Sequence, residues 1–307
     1  MGSLTALMKS ILETLNGFVG NYGWSIVIFT VVFRLILLPL DIKSKKDMRI
    51  YSKQIAKLKP KLEAINKKYA NDPQKRQQKT AELYKAENVS MLGGCKGCIP
   101  LLLQYPLLIA FFTVFRYLAT EHAEAAFKYI QALPEGADAV SAYIEYMKAN
   151  GWSFLWIKNI WMPDIAFHLF GGTSSLVVPT AQFANIAKAS IEAYNSVMAP
   201  IIKYFGNTPN GFFILPLIAG GSQYIASRLT PQADPNAAQN QTMKTMQVIL
   251  PLMFVYFTII SSAALALYWV VSNLISIISQ YFVNKYFDYK DKKNELQQGG
   301  NVEYEIH

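Results

Sequence analysis

The sequence predicts an all-α, polytopic membrane protein, and three observations carry that reading. Apolar residues make up 52% of the chain and charged ones only 16%, a combination that soluble domains seldom show. Five segments are apolar enough to cross a bilayer, which takes about 20 such residues each: 24–40, 98–119, 212–229, 246–260 and 265–286. Basic residues are concentrated in one connection, where fourteen Lys or Arg lie within 43–85.

In chain order, "LTALMKSILETL" places Leu4, Leu7, Met8, Ile11, Leu12 and Leu15 at helical spacing. Residues 1–22 therefore read as an amphipathic helix lying in the membrane interface. The first twenty residues lack a basic end followed by an unbroken apolar core, so no cleavable signal is expected. The first span, "WSIVIFTVVFRLILLPL", contains a single charge, Arg34. A guanidinium keeps its proton, and insertion scales put its cost at a bilayer centre at about 2.5–3.5 kcal/mol.

The basic connection, 43–93, reads as a helical hairpin. Met48, Tyr51, Ile55, Leu58, Leu62, Ile65 and Tyr69 recur at intervals of three and four, as along a helix with a coiled-coil-like seam. Pro60 is expected to kink this arm. "NDP" at 71–73 breaks it, and "QKRQQKTAELYKAE" resumes the spacing. The stretch 120–211 holds seven acids against five Lys or Arg, and "VVPTAQFANIAKASIEAYNSVMAPIIKYF" within it reads as one or two interfacial helices. The fourth span is short and separated from the fifth only by "SSAA", so the two read as a hairpin with a tight turn or as one long span. Five spans are preferred, because the combined stretch of about forty residues would cross about twice. The expected organisation is an interfacial segment 1–22, a five-span core 23–286 and a short tail 287–307. The positive-inside rule puts the basic hairpin and the C-terminus in the cytoplasm, with the N-terminus outside.

Polar residues inside the spans carry the chemistry. They are Gln104 in the second, Ser222, Gln223 and Ser227 in the third, and Ser272, Asn273, Ser276 and Gln280 in the fifth. In hydrocarbon such groups must face partners or water. Each alone fits helix-to-helix hydrogen bonding. Together with Arg34 they favour a shared wet cavity that hydrates its charge from one side. No carboxylate lies within the five spans, which argues against a proton- or cation-coupled pump. His122, His168 and His307 belong to no hydrolase constellation. Cys95 and Cys98 form one C-x-x-C pair where zinc needs four ligands, so reduced structural thiols are expected and no metal or cofactor. On the hairpin, Lys53, Lys57, Lys61, Lys67, Lys68, Lys75 and Arg76 read as a docking arm for anionic lipid, ribosomal RNA or a nascent chain. A solvated hairpin that only fixes topology is the plainer alternative.

"GWSIVIFTVVFRLILLPL", the basic hairpin, "GCIPLLLQYPLLIAFF", "ILPLIAGGSQYIASRL" and "ALYWVVSNLISIISQ" occur in the order found in the YidC/Oxa/Alb membrane insertase family, which the chain resembles over roughly 23–280. The form is similar to the shorter members from Gram-positive-type bacteria. The resemblance implies five spans with N-out, C-in topology in the bacterial plasma membrane. It also implies a non-enzymatic insertase and chaperone whose hydrophilic groove opens to the cytoplasm and to lipid. On that basis the groove holds Arg34, Gln104, Gln223, Trp269, Asn273 and Gln280, and Arg34 transiently attracts acidic segments of nascent membrane proteins. The ribosome and the Sec translocon are further candidate partners. The chain departs from the family's pattern at Ala226 and Ser227, where a Gln pair is common, and at "SSAALA" before "LYW". The rival reading is a small-solute or anion channel with Arg34 in its pore.

Overall fold

The computed structural model describes residues 2–90, 99–165, 191–229 and 239–303. Among them the regular structure is helical: α1 (Ser3–Val19), α2 (Tyr22–Lys68), α3 (Pro73–Ala86), α4 (Ile99–Gln131), α5 (Ala139–Ala149), α6 (Ile191–Asn207), α7 (Ile214–Leu229), α8 (Gln239–Ile260) and α9 (Ala263–Glu303). One isolated bridge joins Phe154 and Ile157. Two of these helices, α2 and α9 as far as Lys293, are long and apolar enough to cross a bilayer, and Pro251–Ile260 is a shorter apolar piece. The chain folds as two compact units. The first comprises Met1–Phe33, Gln104–Gln223 and Leu250–Asn273, and the second Arg34–Leu103, Tyr224–Ile249 and Leu274–His307.

The first unit is built around aromatic contacts of α2, α4 and α9. Phe111 is fully buried; it stacks on Tyr268 at 3.8 Å between ring centroids and meets Phe29 edge-on at 5.6 Å. The amphipathic stripe of α1 divides in two. Met8 and Leu12 are buried while Leu4, Leu7 and Ile11 stay exposed. Lys9 fixes the buried edge by donating to Glu121 of α4 at 2.8 Å. Outside the apolar stretches, Phe127 stacks on Tyr194 at 5.5 Å and Tyr143 meets Phe205 edge-on at 5.9 Å, joining α4 and α5 to α6.

Apart from the Phe154–Ile157 bridge, segment 151–165 has no regular structure, so most of its backbone and side-chain groups must find other partners. They find them at helix N-termini, whose first N–H groups lack intrahelical acceptors. The Tyr22 N–H donates to the Gly151 carbonyl at 3.0 Å. At the start of α9 the N–H groups of Ala263 and Ala264 donate to Met162 and Ile160 at 2.8 Å each. The fully buried Asp164 carboxylate accepts from Phe213 N–H at 3.1 Å and Leu215 N–H at 2.7 Å, capping α7. One segment thus completes the first turns of three helices. Asn210 holds it in shape, accepting from Asn159 N–H at 2.8 Å and donating to the Asn159 and Pro163 carbonyls at 2.9 Å each. Gly151 takes φ +67°, and a Cβ there would lie 2.3 Å from the Gly20 carbonyl oxygen, so only glycine fits.

That cap also moves a boundary. The third apolar segment was expected from Phe212, but α7 begins at Ile214, because Phe213 sits at φ +65° beside Asp164. Sixteen residues remain, a length of about 24 Å. Met246 was expected to open the fourth apolar segment, whereas α8 starts at Gln239. The tight turn between the last two segments is present, since α8 ends at Ile260 and α9 starts at Ala263.

In the second unit the distal half of α2 packs against α3. Tyr51, Ile55, Leu58 and Leu62 bury with Val89, and Leu83 and Tyr84 pack onto them. Asp72 caps α3 by accepting from Lys75 N–H at 3.0 Å, and Pro73 occupies the first turn. The first span and the first hairpin arm, read as separate elements, are one helix with Pro39 and Pro60 inside it. A proline deletes one hydrogen bond, and around Pro60 the buried seam on both sides keeps the helix continuous. Arg49 bonds to Asp288 and, at 3.1 Å, to Asp291, and Lys53 also pairs with Asp291, tying this arm to the extension of α9.

Candidate functional site

The residues expected to line a groove divide between the units: Gln104, Gln223, Trp269 and Asn273 belong to the first, Arg34 and Gln280 to the second. In the first unit Asn273 is buried and its Nδ2 donates to Ser222 Oγ at 3.1 Å, while Ser222 donates to the Ala219 carbonyl at 3.1 Å. This joins α9 to α7. One turn earlier on the same face of α9, the half-buried Trp269 packs on Phe254 of α8 with ring centroids 4.2 Å apart. Gly220 lets α7 and α8 approach, since a Cβ there would lie 2.3 Å from Val255 Cγ2. Gln223 is half-buried beside Ser222. Gln104 falls within α4, and its side chain lies outside the described ones, as do Cys95 and Cys98.

In the second unit Gln280 is buried and donates to Asn284 Oδ1 at 2.9 Å, and Asn284 donates to the Leu229 carbonyl at the end of α7 at 3.1 Å. Helix C-termini leave carbonyls without intrahelical donors, so this amide pair closes one of them. Asn273 and Gln280 are therefore both engaged in hydrogen bonds within the protein.

Arg34 is half-buried and interacts with other groups of the chain. On α2 it is followed at seven and eleven residues by Asp41 and Lys45, which places all three along one stripe about 16 Å long. Each Lys45 proton has an acceptor. Its Nζ lies 2.7 Å from Asp41 Oδ2 and donates to Ser279 Oγ at 3.1 Å and the Ser276 carbonyl at 3.2 Å of α9. Ser279 Oγ in turn lies 3.3 Å from Asp41 Oδ2. The stripe holds two cations and one carboxylate, and Lys45 feels the Arg34 charge. By the formal charges of these three residues the stripe is net positive. Asp41, Lys45 and Asn284 were not among the expected site residues. The i, i+4 pairing in "LDIKSK" at the edge of the apolar block was the available signal for the first two.

Of the hairpin residues, Lys53, Lys57, Lys61, Lys67, Lys68 and Lys75 are exposed and Arg76 is half-buried. Lys53 pairs with Asp291 and Lys61 with Glu87, Lys68 lies over the Tyr69 ring at 5.7 Å, and Lys75 lies 3.9 Å from Asp72. Part of the basic surface is thus neutralised inside the unit.

Over residues 14–292 the chain matches the family described as 60Kd inner membrane protein. The chain belongs to this family. Relatives carry the name membrane protein insertase YidC. One from Fusobacterium nucleatum is 30% identical over 282 residues, which is 92% of this chain and 95% of that protein. One from Leptospira interrogans is 30% identical over 274 residues, 89% of this chain and 32% of that protein. One from Wolinella succinogenes is 30% identical over 290 residues, 94% and 38% respectively. The chain therefore spans about a third of the length of the latter two and nearly all of the first. A solved structure described as an active YidC insertase with its first transmembrane domain resolved aligns with TM-score 0.47 at 21% identity, covering 92% of this chain and 47% of that one. With its apolar helices, this member of the family is a bacterial membrane protein.

Proposed function

We propose that this chain is a membrane protein insertase and chaperone, crossing the bacterial plasma membrane five times with its N-terminus outside and C-terminus in the cytoplasm. The observation that carries the reading is the net-positive stripe of Arg34, Asp41 and Lys45 on α2, running on from an otherwise uncharged apolar stretch in a chain of this family. An acidic flank of a nascent membrane protein entering beside Arg34 is attracted by its charge. At about 6 Å and an effective dielectric near 20, that attraction is worth about 3 kcal/mol, against less than 1 kcal/mol in water. This compares with a cost of about 2.5–3.5 kcal/mol for carrying an Asp to mid-membrane. The match is enough to draw the segment in and too small to hold it. α7 supports the same reading. At about 24 Å it is shorter than the roughly 30 Å hydrocarbon core, and a short span thins the bilayer around it. The substrate's apolar helix then partitions into lipid with no covalent or nucleotide-driven step. The exposed lysines of the hairpin serve as the docking arm for anionic lipid or ribosomal RNA, and the ribosome and Sec translocon are candidate partners.

The test is insertion of one reporter helix bearing acidic or neutral external tails, at matched levels of folded insertase. Because Arg34 interacts within the chain, folding of each variant is measured alongside. Arg34→Lys retains most activity. Arg34→Ala loses the acidic-tailed reporter and largely keeps the neutral one, and Arg34→Glu is worst on acidic tails. Equal insertion of acidic tails by the parent and Arg34→Ala would remove the electrostatic role.

A further inference from the structure

The backbone bonds between Phe154 and Ile157, at 2.9 and 2.8 Å, close a two-residue turn with Leu155 and Trp156 at its tip. Such tips favour Gly, Asn or Asp where φ is positive. Here Leu155 stands at φ +52° and is 69% exposed. The left-handed conformation costs a leucine about 1–2 kcal/mol, so the surrounding structure must hold the tip there.

The turn is not a loose loop. Phe154 is buried against α2, where a Cβ on Gly23 would lie 2.1 Å from its ring. Asn21 Nδ2 donates to the Ser153 carbonyl at 2.8 Å, and the Trp156 indole faces inward, donating to Asp164 at 3.3 Å. Phe154 also meets Trp24 edge-on at 5.4 Å. Leu155 is thereby fixed beside the first turn of α2. From there Trp24, Ile28, Val32, Leu35 and Ile36 continue along one face of that helix, each large, apolar and exposed. Trp is enriched where such a face meets the boundary between headgroups and acyl chains.

We infer that the 153–157 turn is a lipid anchor, with Leu155 inserted at the headgroup–acyl boundary of the leaflet that α2 enters at Trp24. The continuity of Leu155, through Phe154 and Trp24, with the apolar face of α2 selects lipid as the occupant. The anchor holds the 151–165 segment, and with it the three helix N-termini that it caps, at a set depth. This inference rests on the proposed crossing of the bilayer by α2.

The experiment uses the full chain in lipid nanodiscs with Cys95→Ser and Cys98→Ser, carrying an environment-sensitive fluorophore on Leu155→Cys, Val32→Cys or Glu135→Cys. Nitroxides are placed on the lipid either near the headgroup or deep in the acyl chain, and iodide serves as the aqueous quencher. The label at 155 should lose most emission to the shallow nitroxide, the label at 32 to the deep one, and the label at 135 to iodide alone. Loss at 32 without loss at 155 overturns the anchor while leaving the spanning helix intact. No loss at 32 overturns the spanning reading itself. A label at 155 that is shielded from iodide but untouched by either nitroxide indicates a protein partner or second copy and also overturns the anchor. Ser153→Cys reports the same depth if a label at the tip disturbs the fold.

Discussion

Removing the Asp164 carboxylate should uncouple the non-helical segment 151–165 from α7. Asp164 is fully buried and serves three donors: Leu215 N–H at 2.7 Å, Phe213 N–H at 3.1 Å and the Trp156 indole at 3.3 Å. Asp164→Ala leaves all three without an acceptor, and a buried unsatisfied donor costs about 1–3 kcal/mol. The lost interaction of a carboxylate with a helix N-terminus adds up to about 2 kcal/mol in a buried setting. The two backbone donors at that rate give about 2–6 kcal/mol, and because the Phe213 bond is only part-buried the lower half applies, about 2–4 kcal/mol for Asp164→Ala. Asp164→Asn keeps one acceptor oxygen and should lose about 1–2 kcal/mol. Gly211 supplies an independent check, because a Cβ there would lie 1.9 Å from Asp164 Oδ1. Gly211→Ala must displace the carboxylate, so its cost should shrink in the Asp164→Ala background, a coupling that a double-mutant cycle reads directly. The assay is equilibrium unfolding of the detergent-solubilised chain followed by tryptophan fluorescence, comparing midpoints at constant slope. If Asp164→Ala unfolds with the parent, or if the two substitutions are additive, the capping argument fails.

Two further outcomes follow from other contacts. His122 packs among Tyr22, Trp152 and Trp161 at 4.9, 5.1 and 4.8 Å between ring centroids, with Nε2 buried and unpartnered. Burial first, and then the nearby Lys9 charge, push its pKa down from 6.5 to about 4. Its imidazole is neutral in the folded state, so the unfolded state takes up the proton first as pH falls. Stability is complete above pH 6.5 and declines towards pH 4, by a total on the order of 3 kcal/mol. His122→Phe should flatten that decline in pH-dependent unfolding, and an unchanged slope would refute it. Gly220→Ala should cost about 1–3 kcal/mol through overpacking against Val255, and Val255→Ala should restore part of the loss. No rescue in thermal unfolding would show that the α7–α8 approach is not limiting.

The sequence by itself determined the helical class and the kind of solvent that the helices meet, because both follow from periodicity and composition. The seam Tyr51, Ile55, Leu58 and Leu62 was legible for the same reason, and the structure buries those residues. The paired intervals of three and four survive any change of partner. Arg34 was legible because one charge in an apolar block demands an account. Its companions Asp41 and Lys45 were not, since they lie just past that block and resemble ordinary interfacial charges. What draws them into one hydrogen-bonded cluster is Ser276 and Ser279 of α9, more than two hundred residues away. The cap on α7 was equally hidden. Asp164 precedes the helix that it caps by about fifty residues, whereas capping patterns in sequence are read within one turn. Local periodicity records only which face of an element is apolar. Which donor meets which acceptor across the chain is decided when the elements pack, and among the described residues that decision placed three helix N-termini on one short segment with almost no regular structure of its own.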